Sequence, residues 1–481
     1  MKIWSKYPAL YYGIAVLGGI ALFYKFPYLL LIGILDKRRY KIAGFILIYL
    51  MSFGSYYSLR PPPPPPVKTK GVGYFHLNTI RYYHMYGKRI MNYQGVIKCF
   101  VTKDATYYDL PVSIKIESSR KRPLEASDYL VEGILQPTGN GYHFMKKATW
   151  TPLHKGFNAA HKRFDMKKKL RKYLKKHITN SDTYSFFAAL GTGEIDSKYL
   201  GIQFNRLGLR HTLAISGFHY AWIIFILGFF LQLVFTKRFT AGILLILTTL
   251  YFVFIGETPS LNRAWMAALI YLIGFLIYRS SFGLNAFGVA LIASLLFDPD
   301  SIFQIGFQLS YSATFAILTF YPYLEKKLRF LLPKRTFKQA CELTKFSQHG
   351  YILTSLIRQA ASITLSVNLF CFPLIIYHFH AFPLVSLFCN LFFPPILSIA
   401  LVLLILGIIV PLIGPFFLKL GEWYMSGWLS LVLYGTGKFR KFIIYGSLDP
   451  IWVSILIFGL ALLGLFLEEK RYQLTVIEAQ S

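Results

Sequence analysis

Two histidines and a serine stand close together in the stretch Leu207–Trp222, which reads LGLRHTLAISGFHYAW: His211, Ser216 and His219. A serine hydroxyl beside an imidazole is the pair used by nucleophilic hydrolases. That chemistry also needs a carboxylate to orient the base, and none stands in this stretch. In an apolar setting the same residues have two other uses. They can line a wet path, because polar groups inside membrane spans face the bundle interior or a water-filled cavity. They can also simply hydrogen-bond neighbouring helices. Read as one helix, His211 and His219 lie about two turns apart on one side, and the Ser216-Gly217 step offers a bend whose freed backbone groups the serine can satisfy. Arg263, just past Pro259, stands at a helix start where it can meet a phosphate or anchor at an interface. Ser355, Gln359, Ser362 and Ser366 recur at helical spacing beside Arg358 and form a second polar stripe.

Two further sets mix cations with rings or a helical period. Arg81, Tyr82, Tyr83, Lys88 and Arg89 lie in an aromatic-basic run from Tyr74 to Tyr93. Interleaved rings and cations suit a single-strand platform, where bases stack and phosphates pair, but they suit a membrane-interface belt better. Lys162–Ile178 carries nine cations, Lys167, Lys168, Lys169 and Arg171 among them. Met166, Leu170, Leu174 and Ile178 recur every four residues, so this is a basic amphipathic helix, suited to a membrane surface or to a ramp for a polyanion. Gly191-Thr192-Gly193-Glu194 is too short for a P-loop and lacks its lysine. Cys99, Cys341, Cys371 and Cys389 are scattered without zinc or redox spacing. No metal, cofactor or covalent chemistry is expected.

The elements that must position these residues are mostly helices in a bilayer. Of 481 residues, 55% are hydrophobic and only 15% charged, against about 25% charged in soluble chains. Leu213–Phe235, Thr240–Gly256, Ala264–Tyr278, Ile302–Phe320, Ser398–Val410 and Ile451–Leu467 approach the ~20 residues that cross a bilayer core. Lys and Arg total 52 against 21 acids, a net charge of +31. The clusters at 37–41, 237–238 and 326–338 fit the cytoplasmic bias of short basic loops, and charge extending through the large non-membrane segment also suits a polyanion.

The chain divides accordingly. Residues 1–58 are N-terminal transmembrane helices, read at Tyr7–Tyr24, Phe26–Leu35 and Ile42–Tyr57, with the start of the chain taken as a retained anchor. Residues 59–69 are a linker whose six prolines, Pro61–Pro66, form a stiff polyproline II spacer of roughly 19 Å. Residues 70–154 are a small extracytoplasmic β domain, with strands expected at Tyr93–Val101, Leu110–Ile116, Tyr129–Leu135 and Tyr142–Ala148 and a turn at Gly139-Asn140-Gly141. Short alternating strands without helices suggest a small barrel of oligonucleotide-binding (OB) type. Residues 155–180 are the basic helix, 181–470 the main transmembrane domain and 471–481 a tail. The basic segment Glu325–Lys345 falls on the cytoplasmic side. Leu384–Val410, interrupted by Asn390 and Pro394-Pro395, is either one bent span or a re-entrant pair. The fold class is thus a polytopic α-helical membrane protein with an inserted OB-like domain.

Leu207–Trp222 resembles the signature of the ComEC/Rec2 competence family, Gly-Leu-x-His-Leu-Leu-Ala-Ile-Ser-Gly-Leu-His, with Gly208, Leu209, His211, Leu213, Ala214, Ile215, Ser216, Gly217 and His219 matching and Phe218 in place of the last leucine. Gly256–Ala264 (GETPSLNRA) is similar to the family's Gly-x-x-Pro-Ser-x-x-Arg-Ala loop. Gly306–Tyr311 (GFQLSY) is similar to its Gly-Phe-Gln-Leu-Ser segment, and Pro373–Phe379 with Asn390–Pro394 to its late block. The resemblance is strong from Leu190 to Pro395 and weaker before. It implies DNA uptake, with His211, Ser216, Gly217, His219, Arg263, Gln308, Ser310, Gln359 and Asn390 as candidates for the path. Many members carry a metallo-β-lactamase-like domain with a His-x-His-x-Asp-His cluster. The nearest string here, His378-Phe379-His380, lacks the Asp-His, so this form is expected to lack that domain.

The expectation is a multi-pass channel of the bacterial inner membrane, not an enzyme, that imports single-stranded DNA during natural transformation. Its partners would be the strand itself, the lipid bilayer, a DNA receptor, a cytoplasmic DNA-pulling ATPase or strand-binding proteins, and a separate nuclease. The rivals are a permease for a small anionic solute and a membrane scaffold that holds a receptor.

Overall fold

A computed structural model describes residues 3–23, 39–58, 68–85, 88–102, 105–117, 127–138, 141–144, 149–152, 159–195, 197–213, 215–256, 259–278, 283–336, 339, 341–410, 412–438 and 442–480. The expected span Phe26–Leu35 and the proline run lie outside these residues. The described residues are mostly helical, and among them four helices are long and apolar enough to cross a membrane: Lys237–Ile255, Lys345–Phe379, Ser386–Ile409 and Pro450–Leu474. Shorter apolar helices accompany them, including Gly217–Gln232, Ser260–Leu276 and Gly283–Phe297. It is a helical membrane protein.

At the start, α1 (Ile3–Lys6), α2 (Pro8–Phe23) and α3 (Arg39–Ser58) precede the sheet. The strands are β1 (Thr69–Met85), β2 (Lys88–Val101), β3 (Thr106–Glu117), β4 (Ser127–Thr138), β5 (Gly141–Phe144) and β6 (Thr149–Pro152). Four of them overlap the expected strands. β1 was not expected, because Tyr74 and His76 on its outward face overwrite the alternation. Phe75 and Leu77 are buried while Tyr74 and His76 are half-exposed, so the aromatic-basic run is a strand pair and not a loop. The neighbours run β1-β2-β3-β5-β4, and β4 pairs back onto β1 from Thr69↔Leu135 to Leu77↔Ser127. Phe75, Leu77, Tyr93, Ile97, Phe100, Leu110, Val131 and Leu135 fill the interior of this small domain.

Next come α4 (Ala159–His177), α5 (Ser181–Thr192), α6 (Lys198–Arg206), α7 (Arg210–Leu213), α8 (Gly217–Gln232), α9 (Lys237–Ile255), α10 (Pro259–Leu276) and α11 (Gly283–Phe297). After a 3-10 turn at Pro299–Phe303 follow α12 (Ile305–Leu328), α13 (Lys345–Phe379), β7 (Ala381–Pro383), α14 (Ser386–Ile409), α15 (Gly414–Lys438), β8 (Ile443–Tyr445) and α16 (Pro450–Gln480). Apolar cores hold them, three of which bear on the site. One joins α1–α3 to α11, α12, α13 and α16 through Trp4, Tyr11, Phe45, Phe315 and Phe370. A second packs α4, α5 and α6 on α14 and α15, and a third closes α8, α9 and α10.

One expectation changes and two open readings narrow. Leu213–Phe235 is not one helix: it breaks into α7 and α8, because Ser216 is extended (φ −118, ψ 173) and caps α8. His211 and His219 therefore share no helix face. Leu384–Val410 is neither re-entrant nor split, since one helix, α14, runs through Pro394 and Pro395 behind a short strand pair, Phe382↔Ile444. The polar stripe of α13 is largely packing. Ser362 and Ser366 are fully buried and donate to the carbonyls of Arg358 and Ser362 one turn back, while Gln359 is exposed.

Two ends of the helical domain can be told apart. At one, Gln308 Oε1 lies 2.7 Å from His378 Nε2, beside the β7–β8 pair. At the other, Glu325 bonds Arg358 (3.2 Å) and Arg329 (2.6 Å). On α16, Glu468 and Glu469 receive the Tyr7 hydroxyl and the Ile3 N–H at 2.9 and 2.8 Å. Lys41 reaches the Trp4 carbonyl at 3.2 Å.

Candidate functional site

The resembling motifs, far apart in sequence, meet at the start of α8. The ring of His219 turns back on its own helix cap, where Nδ1 takes the Ser216 backbone N–H at 3.1 Å and lies 2.8 Å from the Ser216 hydroxyl. A backbone N–H can only donate, so Nδ1 is the acceptor and the neutral ring carries its proton on Nε2. His219 is 1% exposed. Ser216 and His219 thus fix the helix start, and among the described residues no carboxylate bonds the histidine. His211 lies on α7 and is exposed.

Gly217 opens α8 against α10. A Cβ placed there would lie 3.5 Å from Arg263 Nη2 and 3.7 Å from Ala264 Cβ. Arg263 sits one turn into α10, because Pro259 is fixed for a first helical turn. Its guanidinium crosses to α12, where Nε donates to Ser310 Oγ at 2.7 Å, Nη1 donates to Thr314 Oγ1, and the Tyr311 ring centroid is 6.0 Å away. Among the described residues no carboxylate pairs with Arg263. Two hydroxyls orient a full positive charge without neutralising it, and its remaining nitrogen borders Gly217.

The residues before α8 are held equally tightly. Gly208 has a left-handed backbone (φ +69), and a Cβ there would overlap Ser386 Cβ at the start of α14 and lie 3.1 Å from Pro383 Cγ. The Ser260 hydroxyl donates to the Ile215 carbonyl at 3.3 Å. On α12, Gln308 spans the Ile302 carbonyl (2.9 Å) and His378. Asn390 lies on α14, and its Oδ1 is buried without a partner. So Ser216, Gly217, His219, Arg263 and Ser310 form one constellation. Gln308 with His378, and Asn390, lie on the elements around it. Gln359 stands apart.

The four cations expected to act together on α4 split into two pairs. Lys168 and Lys169 are exposed, as are Lys172, Lys175 and Lys176. Lys167 is 5% exposed and bonds Glu194 (3.0 Å) and the Ile255 carbonyl (2.7 Å), and Arg171 bonds Glu194 at 2.6 Å. Leu170, Leu174 and Ile178 pack into the helical core, leaving Met166 outside. In the β domain, Arg81, Tyr82, Tyr83, Lys88 and Arg89 sit at the far end of the β1–β2 hairpin, in register from Arg81↔Asn92 to Met85↔Lys88. On the outward face of β1 and β4, His76 Nδ1 lies 2.6 Å from Asp128 Oδ1. Burial opposes the Asp128 charge, but hydrogen bonds from His76 and Tyr74 and the nearby Lys98 outweigh it and lower its pKa. Glu194, Thr314 and His378 were not anticipated. Of these, only Glu194 carried a signal, as an acid set against a helix of cations.

Fold and site together define a helical membrane protein with a half-buried arginine that no carboxylate among the described residues balances. Comparison with known proteins is specific about its kind. Residues 192–471 match the competence protein family, and the chain belongs to that family, ComEC/Rec2, as its motifs implied. Over 235 residues it is 30% identical to ComE operon protein 3 of Bacillus subtilis (strain 168), covering 46% of this chain and 26% of that protein. The chain therefore spans about a quarter of that relative's length. No solved structure matches.

Proposed function

We propose that this chain forms the inner-membrane conduit through which single-stranded DNA enters the cell during natural transformation. The observation that carries the reading is Arg263, held on Ser310 and Thr314 with no carboxylate partner among the described residues and opening toward Gly217. A passing phosphodiester supplies the counter-charge that no described carboxylate gives. The exposed lysines of α4 support a DNA ramp over a lipid anchor, because the apolar face of that helix is spent inside the protein. The return of β4 onto β1 supports a closed, OB-like barrel, a fold suited to single strands. Lys41, Arg329 and Arg471 favour a cytoplasmic end opposite His378, with the β domain outside and the chain crossing the membrane several times. Passage needs no covalent step here. Capture by a receptor, pulling by an ATPase or strand-binding proteins, and removal of the second strand by a nuclease fall to partners.

The test replaces Arg263 by Gln and by Lys and measures entry of labelled DNA per assembled molecule, beside DNA bound at the surface. Arg263→Gln should cut entry about tenfold or more, as loss of a hydrogen-bonded charge contact does, with capture intact. Arg263→Lys should recover part, since it restores charge without the planar fork. Unchanged entry in Arg263→Gln refutes the reading. Entry of small anions without DNA would favour a permease.

A further inference from the structure

The inward face of α4 carries three cations at successive turns, Arg163, Lys167 and Arg171, and each meets the helical domain at a loop that leads to the site. The Arg163 guanidinium packs on Gly256, with Nη1 2.9 Å from where a Cβ would be. Lys167 holds the carbonyl of Ile255 at 2.7 Å. Ile255 and Gly256 close α9, and Arg263 follows one turn into the next helix. Glu194 takes Lys167 on one oxygen at 3.0 Å and Arg171 on the other at 2.6 Å. Its neighbour Gly193 is wedged between the two approaches to the site, where a Cβ would be 3.1 Å from Ile255 and 3.3 Å from Ile215. Ile215 leads directly into the Ser216 cap of α8.

We infer that Glu194 is a positioning residue: it clamps the lysine-bearing helix α4 onto the two loops that set Arg263 and Gly217, so that a polyanion held on α4 is held in register with the path. This rests on the reading of Arg263 above. Both carboxylate oxygens are used, and the partners are almost fully buried, with side chains 7% and 11% exposed. Such a pair is costly to break from one side because a buried cation is left behind. Burial raises the Glu194 pKa, but Lys167 and Arg171 outweigh it and hold the carboxyl below its ordinary value of 4.5. The clamp therefore stays charged at neutral pH. The β domain ends at β6 and α4 follows it in the chain, so the clamp also sits on the covalent route from β domain to path.

The experiment compares Glu194→Gln, Glu194→Asp and Lys167→Met in the full-length protein in membranes. It reads abundance, surface-bound DNA, DNA entry per assembled molecule, and tryptic cleavage within α4. Glu194→Gln should keep capture, lose entry about tenfold or more per molecule, as expected for breaking a buried pair, and expose α4 to trypsin. Glu194→Asp should recover part of the entry. Lys167→Met leaves the Arg171 pair in place and should show a smaller loss, which keeps the test decisive where Glu194→Gln fails to accumulate. A fall in abundance with entry per molecule unchanged overturns the inference, as does an equal loss of capture and entry. If Arg263→Gln blocks entry while Glu194→Gln does not, only the clamp is wrong. If neither does, the reading of Arg263 has failed first.

Discussion

Gly208 and Gly217 belong to the same motif, yet the structure asks opposite things of them. At Gly208 a side chain meets two penalties. The left-handed backbone (φ +69) costs an L-residue about 1–2 kcal/mol. The overlap of its Cβ with Ser386, hard against Pro383, adds about 1–3 kcal/mol of overpacking. Gly208→Ala should therefore lose about 2–5 kcal/mol, a large share of a typical stability of about 5–15 kcal/mol. It should appear as low abundance in the membrane. At Gly217 a methyl group meets Arg263 and Ala264 at 3.5 and 3.7 Å, ordinary contact distances, so Gly217→Ala should change stability by less than about 0.5 kcal/mol. Gly217→Leu carries the side chain into the space of Arg263 Nη2. The protein should still assemble while DNA entry per molecule collapses and DNA bound outside persists. The assay pairs quantitative immunodetection in membranes with uptake of labelled DNA. Normal entry per molecule in Gly217→Leu would sink the path assignment, and normal abundance of Gly208→Ala would refute the packing argument.

Replacing Lys168, Lys169, Lys172, Lys175 and Lys176 with Gln should flatten the salt dependence of DNA capture by about 0.7 per lost phosphate contact; an unchanged slope would show that these lysines meet something other than DNA. Asp128, with its pKa lowered by His76, Tyr74 and Lys98 against the pull of burial, contributes stability that is present above its ordinary value of 3.8 and is lost as pH falls through the lowered folded value. Melting of the β-sheet signal followed by circular dichroism should show an acid limb below that pH, and Asp128→Asn should flatten it while lowering stability at pH 7. An unaltered limb would assign acid unfolding to other carboxylates.

What the sequence revealed and what it hid follow from the kind of information each feature carries. Apolar runs mark helices because a bilayer demands internal hydrogen bonding over a set length, and most helices of the domain were legible that way. The break before α8 was not, because an apolar run reads through it. The local chemistry was nonetheless present: Ser216 with His219 three residues on is a cap that closes through an imidazole instead of a carboxylate. β1 was missed for the opposite reason, since outward Tyr74 and His76 are rings as bulky as the Phe75 and Leu77 inside. Which motif meets which lies beyond periodicity altogether. Nothing in the spacing of GETPSLNRA and GFQLSY says that Arg263 bonds Ser310, or that Gln308 meets His378 seventy residues on. Glu422 had the clearest unread signal, a lone acid in an apolar run. One of its oxygens gathers the Thr179 N–H and hydroxyl and the Asn180 N–H at 2.6–2.8 Å, fixing the corner between α4 and α5.

Set beside the cations that the fold pairs with acids, the half-buried Arg263 stands out. Arg358 is fully buried and finds Glu325, the Leu332 carbonyl and the Ser355 hydroxyl. Lys167 and Arg171 share Glu194, which binds both. In each case an acid returns what desolvation of the cation costs, several kcal/mol per ion. Among the described residues Arg263 has hydroxyls and a ring in place of an acid, and arginine cannot escape its charge by losing a proton. The fold gives acids to Arg358, Lys167 and Arg171 and hydroxyls to Arg263, which leaves a charge at the head of α8 that no described carboxylate meets. Placed against a glycine, where no side chain intervenes, that charge is open to an anion brought from outside. The chemistry fits a phosphate that must be met and then released: a resident carboxylate would compete with it, and a tighter cage of donors would not let it go.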